Sequence, residues 1–153
     1  VMSAGELQQL GAPRDIYEYP RNMFVADFIG DTNLLEVSVD KITDGRALCH
    51  IGGGHDLSCD AVEGVNVGAK VHLSVRPERL ILSERAIDAT SLKGIVTENI
   101  YIGTDINTMM DLEGGPKITI RTSNTERGNK RVVAAGSPAF VNMEAGAARL
   151  LVD

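Results

Sequence analysis

Four side chains able to hold a metal, Cys49, His50, His55 and Cys59, fall within eleven residues, and a hairpin over Gly52-Gly53-Gly54 would bring some of them together. Tetrahedral zinc is the chemistry such a set would serve. The flanking alternation argues against it. Cys49 shares a strand face with Ile51, and Cys59 with Leu57, so both thiols read as small core residues while His50 points the other way. The C-x-x-C spacing of a zinc site is also missing, so no metal ligand is assigned.

Other reactive combinations fare no better. Gly52-Gly53-Gly54 would cradle a phosphate only with a helix N-terminus behind it or a completed G-x-x-x-x-G-K-[ST] run, and neither is present; the run reads as a flexible hairpin tip. The three histidines, His50, His55 and His72, accompany no Ser or Cys in a nucleophile elbow. Asp105, Asp111 and Glu113 are spread along a strand and its turn as solvated-face residues, without a paired acid and base. No catalytic residue is assigned. Arg76-Pro77-Glu78 stands apart, because proline fixes the backbone and removes a donor while its neighbours can form directional charged contacts. Its other reading is an edge-strand break with two solvated charges, and isolated surface pairs contribute only about 0 to 1 kcal/mol.

The bulk properties narrow the function classes. With 153 residues, 43% of them hydrophobic, the chain holds one ordinary domain plus a small appendage around a packed core. Fifteen basic residues against 21 acidic ones give a net charge of -6, which argues against a nucleic-acid partner. No run of about 18 apolar residues is present to form a spanning helix. Two cysteines make no disulfide framework and fit a reducing setting.

The elements that would carry these residues change character along the chain. Val1-Met2 and Leu7-Gln8 flank a turn at Ser3-Ala4-Gly5-Glu6, predicting a short hairpin. Pro13 opens a helix that Pro20 ends, and Asn22 caps a second in which Phe24, Val25, Phe28 and Ile29 follow helical spacing up to Gly30. A hairpin and two short helices bury little alone, so they must rest on the following domain or on another. From Asn33 the pattern is that of many short strands. Leu35, Val37 and Val39 alternate, Asp44-Gly45 marks a hairpin, and strands follow over 47–51 and 57–61. Val71, Leu73 and Val75 alternate most cleanly, and 80–82 is again extended. A polar connection over 84–91 leads to strands at 93–102, where Val96, Ile100 and Ile102 share a face, and at 107–112, 117–122, 139–143 and 149–152. Residues 123–131 read as a loop or short helix. The class is all-β, with a small α-containing extension.

Three ordered motifs carry a family resemblance that touches the whole chain. Phe28-Ile29-Gly30-Asp31-Thr32-Asn33 resembles the junction between the ATPase domain and the transport-associated OB (TOBE) domain of ABC importer ATP-binding subunits. Ser74-Val75-Arg76-Pro77-Glu78 resembles the most recognisable motif of that domain, and the run from Gly94 to Gly103 resembles the segment opening its second half. The overall pattern is similar to the spermidine/putrescine type. The resemblance implies that residues 1–30 are the tail of an ATPase domain, and that 31–153 form an OB-fold-like regulatory barrel with a possible subdivision near 84–92. Arg76, Pro77 and Glu78 then become candidates for contacts with a neighbouring domain or subunit.

The same resemblance implies a regulatory and dimerisation role. Homodimer partners and membrane permease subunits are implied, with a regulatory protein as a further partner, at the cytoplasmic side of the membrane. The chain lacks a phosphate-binding loop and the leucine-serine-glycine-glycine-glutamine signature, so it is expected to be catalytically silent and free of cofactors; ATP and Mg would belong to the parent domain. The alternative is a small-oxyanion-binding OB-type module, for which Ser91, Lys93 and Thr97 are the candidates.

Overall fold

The structure is a computed structural model that describes residues 1–152. Strands β1 (Met2–Ser3) and β2 (Glu6–Leu7) form the hairpin, followed by helices α1 (Pro13–Glu18) and α2 (Met23–Ile29). Asn22 caps α2, its Oδ1 accepting the Val25 amide at 2.9 Å. Next come β3 (Asn33–Thr43), β4 (Arg46–Gly52), β5 (His55–Asp60) and β6 (Lys70–Val75). One 3-10 turn, Pro77–Arg79, leads to β7 (Leu80–Ser83), β8 (Leu92–Ile102), β9 (Asp105–Leu112) and β10 (Lys117–Ser123). The short helix α3 (Glu126–Asn129), β11 (Pro138–Met143) and β12 (Arg149–Leu151) complete the chain. Among the described residues no helix is long and apolar enough to cross a membrane, which says nothing of spanning strands.

Beyond the β1–β2 hairpin the strands make two bodies. One is a closed five-strand barrel in the order β12-β5-β4-β3-β6, and the other a five-strand sheet in the order β10-β9-β8-β11-β7. The mainly β architecture expected from alternation, and the OB-like barrel implied by the resemblance, are therefore present. Leu35, Val37, Val39, Val71, Leu73 and Val75 all point into the barrel, as their shared parity requires. Asp44 and Gly45 turn β3 into β4 with φ of 52° and 73°, the left-handed pair that a two-residue hairpin needs. The core runs without a break from barrel to sheet, through Leu80, Leu82, Val96, Met110 and Val141.

The chain crosses between bodies in a way that alternation alone does not show. It leaves the barrel at the Pro77–Arg79 turn, builds the whole sheet, and returns so that β12 pairs antiparallel with β6 and parallel with β5. The change of body thus falls at 76–79. The polar connection at 84–91 lies inside the second sheet, between β7 and β8.

Two local expectations are corrected. In β8 a bulge between Val96 and Glu98 reverses the parity of the strand, so Val96 is buried while Ile100 and Ile102 face outward. The triple glycine is not a free tip. It abuts the turn of the other body: a Cβ at Gly53, which also has φ 61°, would strike the Glu113 carbonyl, and one at Gly114 would strike the Gly53 amide. Side chains are excluded there because two backbones touch.

Candidate functional site

Arg76 follows β6 at the corner where α1, α2 and the barrel meet, and its guanidinium is almost wholly buried. A desolvated charge needs partners on every donor. Nη1 donates to the carbonyls of Ala26 (2.9 Å), Gly30 (2.8 Å) and Asp31 (3.1 Å), and Nη2 donates to that of Tyr17 (3.1 Å). Ala26 and Tyr17 lie in the last turns of α2 and α1, whose carbonyls have no partner within the helix. Neither last turn carries a basic residue of its own. Arg76 therefore supplies from a distant strand the positive charge that both helix C-termini favour. The guanidinium also lies over the Tyr17 ring, 4.2 Å from its centroid.

Pro77 is buried beside Arg76, whereas Glu78 is exposed and accepts the Tyr17 hydroxyl proton in a hydrogen bond. Burial, reinforced by Glu78, pushes the Tyr17 phenol up to about 12 from an ordinary 10.0. The protonated phenol is the form the fold favours, so this stabilisation is complete below pH 10 and is lost as the pH climbs toward 12. A spectrophotometric titration is expected to show one late-ionising tyrosine, and Tyr17→Phe should remove that step along with part of the alkaline loss of stability.

Further contacts tie the joint on both sides. Arg79 pairs with Glu144 at 2.7 Å and Glu18 at 3.4 Å, linking the turn to the β11–β12 connection and to α1. Arg121 of β10 pairs with Asp31 at 2.7 Å. Asn33 uses its amide as a piece of strand: Oδ1 accepts the Thr119 amide at 2.7 Å and Nδ2 donates to the Thr119 carbonyl at 2.9 Å. Extension, barrel and sheet are thus joined within a few residues of Arg76.

Sequence reasoning singled out Arg76-Pro77-Glu78 but missed Tyr17 and Asn33 as partners. For Asn33 a signal was available. It shares the parity of Leu35, Val37 and Val39, and an inward-facing amide must find hydrogen bonds. For Tyr17 none was, since 59 residues separate it from Arg76.

Each of the alternative anion candidates has a partner within the fold. The Ser91 hydroxyl accepts the Ile87 and Asp88 amides at 2.9 and 3.2 Å and donates to Asn142 Oδ1 at 2.7 Å, stitching the 84–91 connection to β11. Lys93 faces Glu113 at 3.8 Å, and the Thr97 hydroxyl donates to the Met109 carbonyl at 3.2 Å.

The four metal-capable side chains divide between the barrel interior and its exterior. Cys49 and Cys59 are buried in the barrel, and burial pushes both thiols up, Cys59 to about 12. His50 faces outward to Asp56 at 2.9 Å, and His55 lies 3.9 Å from Glu113. Among the described residues no group of three or more His, Cys, Asp or Glu could hold a metal ion.

The fold is a closed OB-like barrel with an appended sheet, joined to an N-terminal extension around a buried arginine. This chain belongs to the TOBE domain family, which residues 73–151 match. It is 50% identical over its full length to the spermidine/putrescine import ATP-binding protein PotA of Roseobacter denitrificans, covering 42% of that protein. It is 40% identical to the PotA of Pseudomonas fluorescens, covering 41%. The chain thus spans about two fifths of the length of these curated relatives. A molybdate-bound structure of the cytoplasmic molybdate-binding protein ModG superposes with a TM-score of 0.69 at 19% identity, over 79% of this chain and 96% of that one, a likeness of fold.

Proposed function

We propose that this chain is the regulatory and dimerisation region of the ATP-binding subunit of an ABC importer for polyamines or a related small solute. Residues 1–30 are the closing segment of its ATPase domain, and 31–153 are the regulatory domain. Arg76, Pro77 and Glu78 form the contact between the two. The observation that carries this reading is the buried Arg76 guanidinium, which holds the C-termini of both extension helices against the barrel. Movement of the ATPase domain would reach the barrel through that contact.

The exposed faces of the extension support the same reading. Phe24 and Phe28 stack with centroids 5.5 Å apart on the outer side of α2, and Phe28 is 65% exposed, while Leu10 is 84% exposed. Such side chains suit burial against the remainder of an ATP-binding subunit, which would supply the ATP and Mg site. Two subunits held together through their regulatory domains would close on nucleotide as an intramolecular event, at high effective concentration. Permease subunits would be reached through the ATPase domain, placing the assembly on the cytoplasmic face of the membrane. The oxyanion-binding alternative has less support, because Ser91, Lys93 and Thr97 are each engaged elsewhere.

Sedimentation of the chain at tens of micromolar, together with ATPase assays on the full-length subunit, tests this reading. A dimer is expected, with no ATP turnover by the chain alone. In the full-length subunit, Arg76→Met should leave nucleotide binding intact but alter transport-coupled hydrolysis. A strict monomer, or full-length hydrolysis indifferent to Arg76, would overturn it.

A further inference from the structure

The second sheet curls until its two edge strands, β7 and β10, approach without forming a ladder. Between them lies a cleft of about 370 Å³, with α3 at its rim. Three arginines reach it, Arg121 from β10, Arg127 from α3 and Arg131 just beyond, in a protein whose net charge is -6. Arg121 is half-buried and pairs with Asp31, whereas Arg127 and Arg131 have no ion pair or side-chain hydrogen bond among the described residues. Two carboxylates also line the cleft: Glu144 is paired with Arg79 at 2.7 Å, while Glu78 accepts the neutral Tyr17 hydroxyl and keeps its negative charge, one against the two unpaired arginines. The unspent charge there is positive. Thr122 and Ser123 add hydroxyl donors along the β10 wall.

We infer that this cleft is a binding site for a small anion of the diphosphate class, held by Arg121, Arg127 and Arg131. Guanidinium groups bind phosphate oxygens through paired parallel hydrogen bonds, so three of them match a ligand with two charged centres better than a single small ion. The volume lies in the range of small-molecule sites, roughly 300 to 1,000 Å³. Such a ligand would compete with Asp31 for Arg121, and Asp31 begins the link from α2 to the barrel. Occupancy of the cleft is therefore coupled to the joint at Arg76.

Calorimetric titration of the whole chain with pyrophosphate, at low and moderate salt, tests the site. Arg127 and Arg131 are exposed and make no side-chain bond among the described residues, so Arg127→Ala/Arg131→Ala should melt like the parent chain. The double variant is expected to bind pyrophosphate at least about tenfold more weakly, and Arg127→Ala alone should show part of that loss. Lys41→Ala/Lys70→Ala, which removes the same charge elsewhere, should leave binding unchanged. ADP binding more tightly than pyrophosphate would assign the diphosphate to a nucleotide, and equal binding would assign it to the free anion. Absence of pyrophosphate binding, or equal weakening by the lysine control, would overturn the inference.

Discussion

Deleting residues 149–153 is expected to unfold the barrel, although β12 contributes only Arg149–Leu151. That strand is the one that closes the ring. It pairs with β6 through Arg149, Leu150 and Leu151 and with β5 through Arg149, so its loss opens two strand edges at once. Leu150 and Leu151 are each only 2% exposed, and deletion would bare the core they cover. The milder Leu150→Ala should cost about 2 to 5 kcal/mol, the range for truncating a buried leucine. Chemical denaturation followed by circular dichroism measures it.

The same topology makes a second outcome specific. A chain nicked within 84–91 should stay folded as one two-piece complex, because β12 in the second piece still closes the barrel of the first. A peptide ending at residue 88 should not fold. Independent folding of that peptide would show that the barrel does not depend on its returning strand.

Arg76→Met is expected to release the N-terminal extension while leaving both β bodies intact. Methionine fills much of the apolar path of the arginine stem but donates nothing, so the carbonyls of Tyr17, Ala26, Gly30 and Asp31 lose their donor at once. Hydrogen bonds to a charged group contribute about 1.5 to 3 kcal/mol each. Bonds sharing one guanidinium are not additive, and a total loss of about 3 kcal/mol is expected. Arg79–Glu18 and Arg121–Asp31 remain, but they are more exposed pairs. Amide exchange and limited proteolysis over residues 8–31 should therefore rise sharply while the strand amides stay protected. Arg76→Lys should rescue little, since an ammonium cannot span the two helix ends with a planar fork. Unchanged protection in the extension would remove Arg76 from the joint.

Some features of the fold are legible in the amino-acid sequence because they rest on local chemistry. Period-two alternation marked the inward faces of β3 and β6, because successive side chains of a strand must point to opposite sides. Asn22 and Pro13 announced their helices through local hydrogen-bond needs, and both act as expected: Asn22 accepts the Val25 amide, and Pro13 occupies the first turn of α1. Arg76-Pro77-Glu78 was visible as a break in alternation. The bulge in β8 was not, because one extra residue inverts every later side chain without changing composition.

Alternation, turn residues and motif order are short-range properties, and they were sufficient for the all-β class, the hairpin-and-helix extension and the family resemblance. The partners of each marked residue came only with the fold. Arg76 meets Tyr17 across 59 residues and Asn33 meets Thr119 across 86. Gly53 is held bare by a turn 60 residues away, and β6 is closed by the last strand of the chain. Contacts at such separations are set by how the two bodies pack, because each must satisfy buried polar groups or exclude a clash that the local chain cannot reveal.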